Sequence, residues 1–478
     1  MLVCSPEPDV NFKPVSCLSD CMTCHLAVWF ALGLIRADSY MRGCRCSGFM
    51  GFTKPIDHLF LSRKKVISMH PLYVGIDVSS KTNVIYFMKP DGSKHSQFSV
   101  KNSLDGAKEL SKRIVFAMNS EELTDLVIGL EATSVYGEHI TMFLREDAAL
   151  APFNHKIFVL NPKQVNKFKA AYPDLPKNDY VDAFIIADAL RFGRINKDIY
   201  TDDYRYVALR NLTRARYFAV QNLTREKQRF LNYLFMKYSS FTQEKVFSNT
   251  FGTTAISVFE EFDSSDQLAY MDLHELTEFI IKKGKNHFDD PAAVAKAIQK
   301  AARSSYRLPK TINDSVNQVL SLSISSIRAL EAQIKEFDKA IAEQLALIPN
   351  TLQSIKGIGP VYAAGIVAEI GDINRFSNQA ALAKYAGLAW TQHQSGNFEA
   401  EYTRLINSGN RYLKYYLCEA TLSLVKCDTE YKRFYQLKYN EVNRYKHKRA
   451  LALTARKFVR LVFTLLKENR LYIPSEQR

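Results

Sequence analysis

Four carboxylates stand where they can act together. Asp77 lies in the middle of the apolar stretch VGIDV, where a charge is costly unless it faces a cleft or a cation. Glu131 closes a second apolar stretch, VIGLE. Asp179 and Asp182, in KNDYVDA, are three residues apart near a helix start and so share one face. Singly, each has an ordinary explanation: the pair favours a helix N-terminus through its dipole, and Asp77 caps a turn. Asp188, six residues on, reads as ordinary. As a set, the four acids make a cluster of like charges that needs a cation, and hard oxygen donors suit Mg²⁺ or Mn²⁺. Two such ions clamp the attacking and leaving oxygens of a phosphodiester.

A second group lies towards the C-terminus. Ile355-Lys356-Gly357-Ile358-Gly359-Pro360 is an apolar-Gly-apolar-Gly turn opening a helix, like a helix-hairpin-helix motif. Such turns offer backbone N–H groups to DNA phosphate. The plainer reading is a tight helix–helix turn that needs glycine. Arg404, and Arg411 in the second glycine turn Asn407–Arg411, complete the DNA-contact candidates. Ser395, beside Gly396 in a polar loop, is a candidate nucleophile, although a loop serine is far more often a solvent-facing turn residue.

These residues need elements to hold them. Tyr73–Val78, Asn83–Lys89 and Lys94–Val100 read as strands, the last two joined by Pro90-Asp91-Gly92. A helix over Leu104–Ala117, a strand Asp125–Leu130, a helix Tyr136–Asp147, a strand His155–Leu160 and a helix Asn178–Phe192 follow. The order β-β-β-α-β-α-β-α predicts an α/β domain with a mixed sheet. The first and fourth strands can then be neighbours, with the last helix across them. Residues 203–238 read as a basic helix, with eight Lys/Arg against one acid from Arg205 to Lys237. Residues 241–300 are acidic by comparison and look like an inserted helical subdomain. In 312–348, Ile327, Leu330, Ile334, Phe337, Ile341, Leu345 and Ile348 recur at spacings of three and four. That is a coiled-coil-like seam, paired either within the chain or between chains. The remainder is all-helical, and Lys432–Arg470 carries twelve Lys/Arg against two acids with tyrosines interleaved, a pattern suited to a nucleic-acid backbone.

The chain has 478 residues and a formal net charge of +15, with 24% charged and 47% hydrophobic residues, which excludes a mostly disordered chain. No apolar run reaches the roughly 18 residues needed to span a bilayer. Six of the eight cysteines precede residue 50. Their spacing lacks the paired knuckles of a zinc site, and the cysteine-poor remainder fits a reducing, cytoplasmic compartment. Residues 1–68 show no sustained period, so the working protein is expected to begin near Met69.

YVGIDVSSKTN, GLEATSVYG, KNDYVDAFIIADALR, IKGIGPVYAAGIVAEIGD, RFSNQAALAKYAGL, QSG and INSGNRYLKYYLCEA occur in this order. Together they resemble the DEDD transposases of the insertion-sequence-110 family over about residues 70–465. The family's Lys-Thr-Asp-x-x-Asp-Ala is here Lys177-Asn178-Asp179-Tyr180-Val181-Asp182-Ala183, with both acids kept. The resemblance implies an α/β plus all-α protein: an RNase H-like (RuvC-like) domain over 69–202, a helical coiled-coil region over 203–348 and a C-terminal transposase domain over 349–470. It implies that Asp77, Glu131, Asp179 and Asp182 bind Mg²⁺. A serine matching Ser395 attacks DNA to form a phosphoserine, and Ser408 matches that motif less well. It also implies a homo-oligomer, dimer or tetramer, working on donor and target DNA with a structured noncoding guide RNA. The rival readings are a RuvC-like structure-specific endonuclease using water, a non-catalytic DNA-binding protein, and an actin-like ATPase or sugar kinase. The last would need further glycine-rich loops that the sequence lacks.

Overall fold

Five strands and four helices build the N-terminal part of the computed structural model. They are β1 (Pro71–Val78), β2 (Thr82–Met88), β3 (Lys94–Lys101), α1 (Leu104–Ser120), β4 (Asp125–Glu131), α2 (Glu138–Glu146), β5 (Asn154–Leu160), α3 (Pro162–Lys169) and α4 (Asp179–Phe192). The described residues are 71–132, 135–172, 175–176, 178–193, 203–244, 246–285, 287–391, 394–395, 398–399 and 404–474; for 242, 394, 395, 398 and 399 the description is of the backbone alone. The reading of 1–68 as an extension lies outside them.

The strands form one mixed sheet in the order β3-β2-β1-β4-β5. β1 runs antiparallel to β2 and parallel to β4, so the first and fourth strands are neighbours, an arrangement the element order allows. Fully buried Leu72, Val74, Ile76, Ile128, Leu110 and Ile114 pack α1 against this sheet. Local chemistry sets the helix ends. Ser103 caps α1 by accepting from the Gly106 N–H, and Asn178 caps α4 by accepting from the Val181 N–H at 2.8 Å. Asn is as good a cap as Thr, which explains why the acidic motif tolerates it. Gly193, at φ +73°, ends α4.

The chain then turns helical. α5 (Tyr204–Lys237) leads into α6 (Phe241–Glu244), α7 (Thr253–Glu261), α8 (Ser265–Tyr270), α9 (Leu273–Gly284) and α10 (Pro291–Arg303), whose core around Phe259, Leu276 and Ile298 is completed by Phe230 of α5 and by Val316, Leu320 and Ile324. α11 (Lys310–Leu345) returns antiparallel along α5. The pairing is fixed by Arg205 Nη1 on the Leu347 carbonyl at 3.1 Å, Arg216 on Asp338, and Lys227 Nζ on Glu331 at 2.7 Å. The coiled-coil-like seam is therefore met by α5 within the same chain. Ile327, Ile341, Leu345 and Ile348 are buried, while Leu330, Ile334 and Phe337 are half-buried.

The C-terminal core gathers α12 (Pro360–Ile370), α13 (Gln379–Tyr385), α14 (Arg411–Cys427), α15 (Thr429–Asn440) and α16 (Lys446–Glu468) around Ile366, Leu417 and Phe458. Between α13 and α14 lies a small antiparallel hairpin of β6 (Gln394–Ser395) and β7 (Phe398–Glu399). No helix among the described residues is long and apolar enough to cross a membrane.

Candidate functional site

The acids of β1 and β4 are brought side by side by register. Ile76 pairs with Leu130, so Asp77 and Glu131 follow on adjacent parallel strands at the same end of the sheet. Side chains two apart on a strand share a face, so Gly75 lies on the Asp77 face and Gly129 on the Glu131 face. Gly75 and Gly129 are themselves cross-strand partners. Together they make a side-chain-free track on which α4 lies. A Cβ on Gly75 would stand 2.0 Å from the Ala183 carbonyl oxygen, and one on Gly129 would stand 2.6 Å from Leu190 Cδ1. Running along this track, α4 puts its first turn, Asp179 and Asp182, over the end of the sheet that carries Asp77 and Glu131.

The electrostatics record the convergence. Burial pushes the Asp77 carboxyl up to about 6, and the charges of Asp182 and Asp179 push the same way. Glu131 is pushed up to about 7 by burial, then by Asp77 and Asp182. Lys169, in the last turn of α3, opposes both shifts; its Nζ lies 2.5 Å from Asp182 Oδ1. The four acids thus share one electrostatic environment. Among the described residues, however, no three His, Cys, Asp or Glu side chains are grouped closely enough to enclose one ion. Asp188 belongs elsewhere: it is buried, accepts from Tyr172 and Arg191, and serves packing.

The other candidates separate. Gly357, at φ +93°, packs on α14, where a Cβ would meet Cys427 Sγ at 2.9 Å and where Ser423 Oγ donates to its carbonyl at 2.6 Å. That packing leaves little room for a side chain at Gly357. Gly359 differs: nothing lies within 4 Å of a Cβ there, and no side chain caps the N-terminus of α12 that it precedes. Lys356, Arg404, Ser408 and Arg411 are exposed. Ser395 sits in the β6–β7 hairpin opposite Phe398; its side chain lies outside the described residues.

Three further groups escaped the sequence reading. Lys169 is one, although the basic run KQVNKFK just before the acidic motif was a signal for it. Lys163 is the second: its Nζ reaches the Asn407 carbonyl at 3.0 Å, tying α3 to the glycine turn before α14. The third is Glu369, the acid inside the apolar run VYAAGIVAEI. It is buried and bound by Arg214 through two bonds of 2.7 and 2.9 Å and by Asn410 Nδ2 at 2.6 Å. Asn410 in turn caps α14, accepting from the Tyr412 and Leu413 N–H groups.

The chain thus joins a five-stranded mixed sheet to a long helical region. Residues 74–237 match a family model described as a transposase, and residues 350–436 match one described as a transposase of the IS116/IS110/IS902 family; together they cover more than half of the chain. A protein of insertion element IS116 from Streptomyces clavuligerus is 26% identical over 414 residues, 84% of this chain and 96% of the relative. A protein of insertion element IS900 from Mycobacterium paratuberculosis is 22% identical over 85% of this chain and 98% of the relative. One of insertion element IS110 from Streptomyces coelicolor is 32% identical over 146 residues, 30% of this chain and 34% of the relative. The chain belongs to the IS110/IS116 family of transposases, enzymes that cut and transfer DNA.

Proposed function

We propose that this transposase cuts and rejoins DNA through a covalent serine–DNA intermediate. Ser395 is the nucleophile, and Asp77, Glu131, Asp179 and Asp182 are the ligands of Mg²⁺ or Mn²⁺. The observation that carries the reading is the seating of α4 on Gly75 and Gly129, which sets its two acids over those of β1 and β4. The strand order, with an antiparallel β1–β3 meander beside parallel β4 and β5, supports an RNase H-like (RuvC-like) domain. The donor set fits a hard divalent cation. Its oxygens are carboxylates, and two are held above their usual range by burial and mutual charge, a condition that such an ion relieves. Bound there, the ion would polarise the scissile phosphate.

The chain's own groups do the rest. Ser395 Oγ forms a bond to phosphorus as the bond from phosphorus to a sugar oxygen breaks. The serine proton leaves Oγ, and the sugar oxygen takes up a proton to become a hydroxyl. The phosphoserine keeps the phosphodiester energy, and a hydroxyl from the exchanging strand reverses the step. Lys356, Arg404 and Arg411, and the open backbone at Gly359, meet DNA phosphates. By resemblance, 69–202 carries the acids, 349–470 carries the serine, and a homo-oligomer brings the acids of one subunit to the serine of another with a guide RNA.

Ser395→Ala is expected to bind DNA as the parent does and to give no protein–DNA adduct on a denaturing gel. An adduct surviving in that variant would move the nucleophile, with Ser408 the next to replace. A parent protein that cleaves without any adduct would instead favour a RuvC-like endonuclease using water.

A further inference from the structure

Where α5 passes the start of α14, aromatic rings and guanidinium groups face one another. Tyr217 meets Tyr412 edge-on at 5.2 Å and Tyr415 at 4.8 Å, and Phe218 meets Tyr412 at 6.0 Å. Arg214 lies 4.6 Å from the centre of the Tyr412 ring; Arg411 lies 4.8 Å from that ring and 5.8 Å from Phe218. The inner half of this group is committed to the fold. Arg214 is neutralised by buried Glu369, and Tyr415 is half-buried.

The outer half is not. Phe218 is 45% exposed. Leaving that much of a phenyl ring in water forgoes part of the hydrophobic gain that its burial would contribute. Arg411 is exposed, and among the described residues no carboxylate pairs with it; its bond goes to the Tyr412 hydroxyl at 2.7 Å. A planar apolar ring beside an unneutralised planar cation suits a ligand that is itself a flat ring carrying an anion. That is the chemistry of a nucleotide, and base–aromatic stacking is tolerant of sequence.

We propose that Phe218, Tyr412 and Arg411 form a stacking platform for an unpaired base of a DNA strand, with Arg411 on its phosphate. The proposal rests on the reading that the C-terminal helices carry DNA. It adds that this point takes single-stranded DNA, the form that strand exchange must expose. A duplex keeps its bases stacked on each other and offers no free face to Phe218.

The test uses the full chain and three labelled probes at one salt concentration: an oligothymidylate, the same DNA as a duplex, and the matching oligouridylate RNA. Phe218→Ala is expected to weaken oligothymidylate binding at least about fivefold, the low end of one stacked base. Duplex affinity should stay within about twofold, as expected for a surface change away from phosphate. Phe218→Trp should restore the single-strand affinity, and unchanged thermal unfolding of both variants shows that the fold is intact. Equal losses on single strand and duplex, or no loss on either, overturn the platform while leaving DNA binding standing. A loss confined to the RNA overturns the assignment to DNA. A parent protein that binds none of the probes removes the underlying reading as well.

Discussion

Asp77 occupies a strand whose neighbours on both sides are apolar, and burial together with the charges of Asp182 and Asp179 opposes its ionised form. A group arranged this way is held against the preference of the fold, which is the usual mark of a functional carboxylate. Asp77→Asn removes one of the repelling charges and keeps the volume. It is expected to abolish strand cleavage while raising stability by about 1 kcal/mol, after allowance for solvent screening at a half-exposed site. Urea unfolding and a cleavage assay on the same preparation decide it, and a variant that is both less stable and still active contradicts the assignment. Lys169 is the counterpart. Its ammonium sits on Asp182 and lowers the repulsion felt by Asp77 and Glu131. Lys169→Gln frees that carboxylate, so Mn²⁺ should bind tighter by about three- to tenfold, the range expected of a partly exposed ion pair. Titration calorimetry without DNA reads this directly, and weaker binding would mean that Lys169 holds the acids in place instead of competing with the ion.

At the scale of the element, the acids depend on how closely α4 lies on the sheet. Gly75→Ala puts a methyl group 2.0 Å from a backbone oxygen of α4, and backbone cannot yield as a flexible side chain can. The expected cost is at least about 3 kcal/mol, at or above the usual range for overpacking. Cleavage should fall further than the folded fraction does, because the displaced helix carries Asp179 and Asp182. Full stability by denaturant titration would show that α4 is not seated this way. Much of this assembly was legible beforehand. An apolar run with an acid inside it marked β1, one ending in an acid marked β4, and Asn178 followed by two acids marked the start of α4. The track itself was not, because a glycine in a strand gives no local sign of the helix that will cover it. α3 was missed for a different reason: its eight residues bury little besides Val165, so no helical period stands out. The partner of α11 was equally hidden, since a seam of isoleucine and leucine fits an intramolecular helix as well as a second chain. The hairpin that carries Ser395 is two residues per strand, below what alternation can reveal.

Over the whole molecule, the net charge of +15 does not mark two equal binding surfaces. On α5, Arg214, Arg216 and Lys227 pair with Glu369, Asp338 and Glu331 of neighbouring helices, and Arg229 pairs with Glu226 of α5 itself, so these cations are largely neutralised. On α15 and α16 the balance differs. Glu441 takes Lys438 and Arg449, and Glu430 takes Lys457, but exposed Lys432, Arg433, Arg444, Lys448 and Arg460 have no carboxylate partner among the described residues. Burial first, and then the charge of Arg460 four residues away, hold the Arg456 guanidinium below its usual range, and Arg456 Nη1 is buried without a hydrogen-bond partner. Two like charges one helical turn apart weaken a helix on their own. They are favourable once an anion lies between them, so this face is where DNA phosphate is expected. Arg460→Gln should lower the slope of log affinity against log salt by about one for duplex DNA, irrespective of sequence, and should leave stability unchanged or slightly raised. Arg449→Gln serves as the control. Its guanidinium is already held 2.8 Å from Glu441, so its loss should change the slope by much less. Binding measured across a salt series separates the two, and equal slopes for both variants would move the phosphate path off α16.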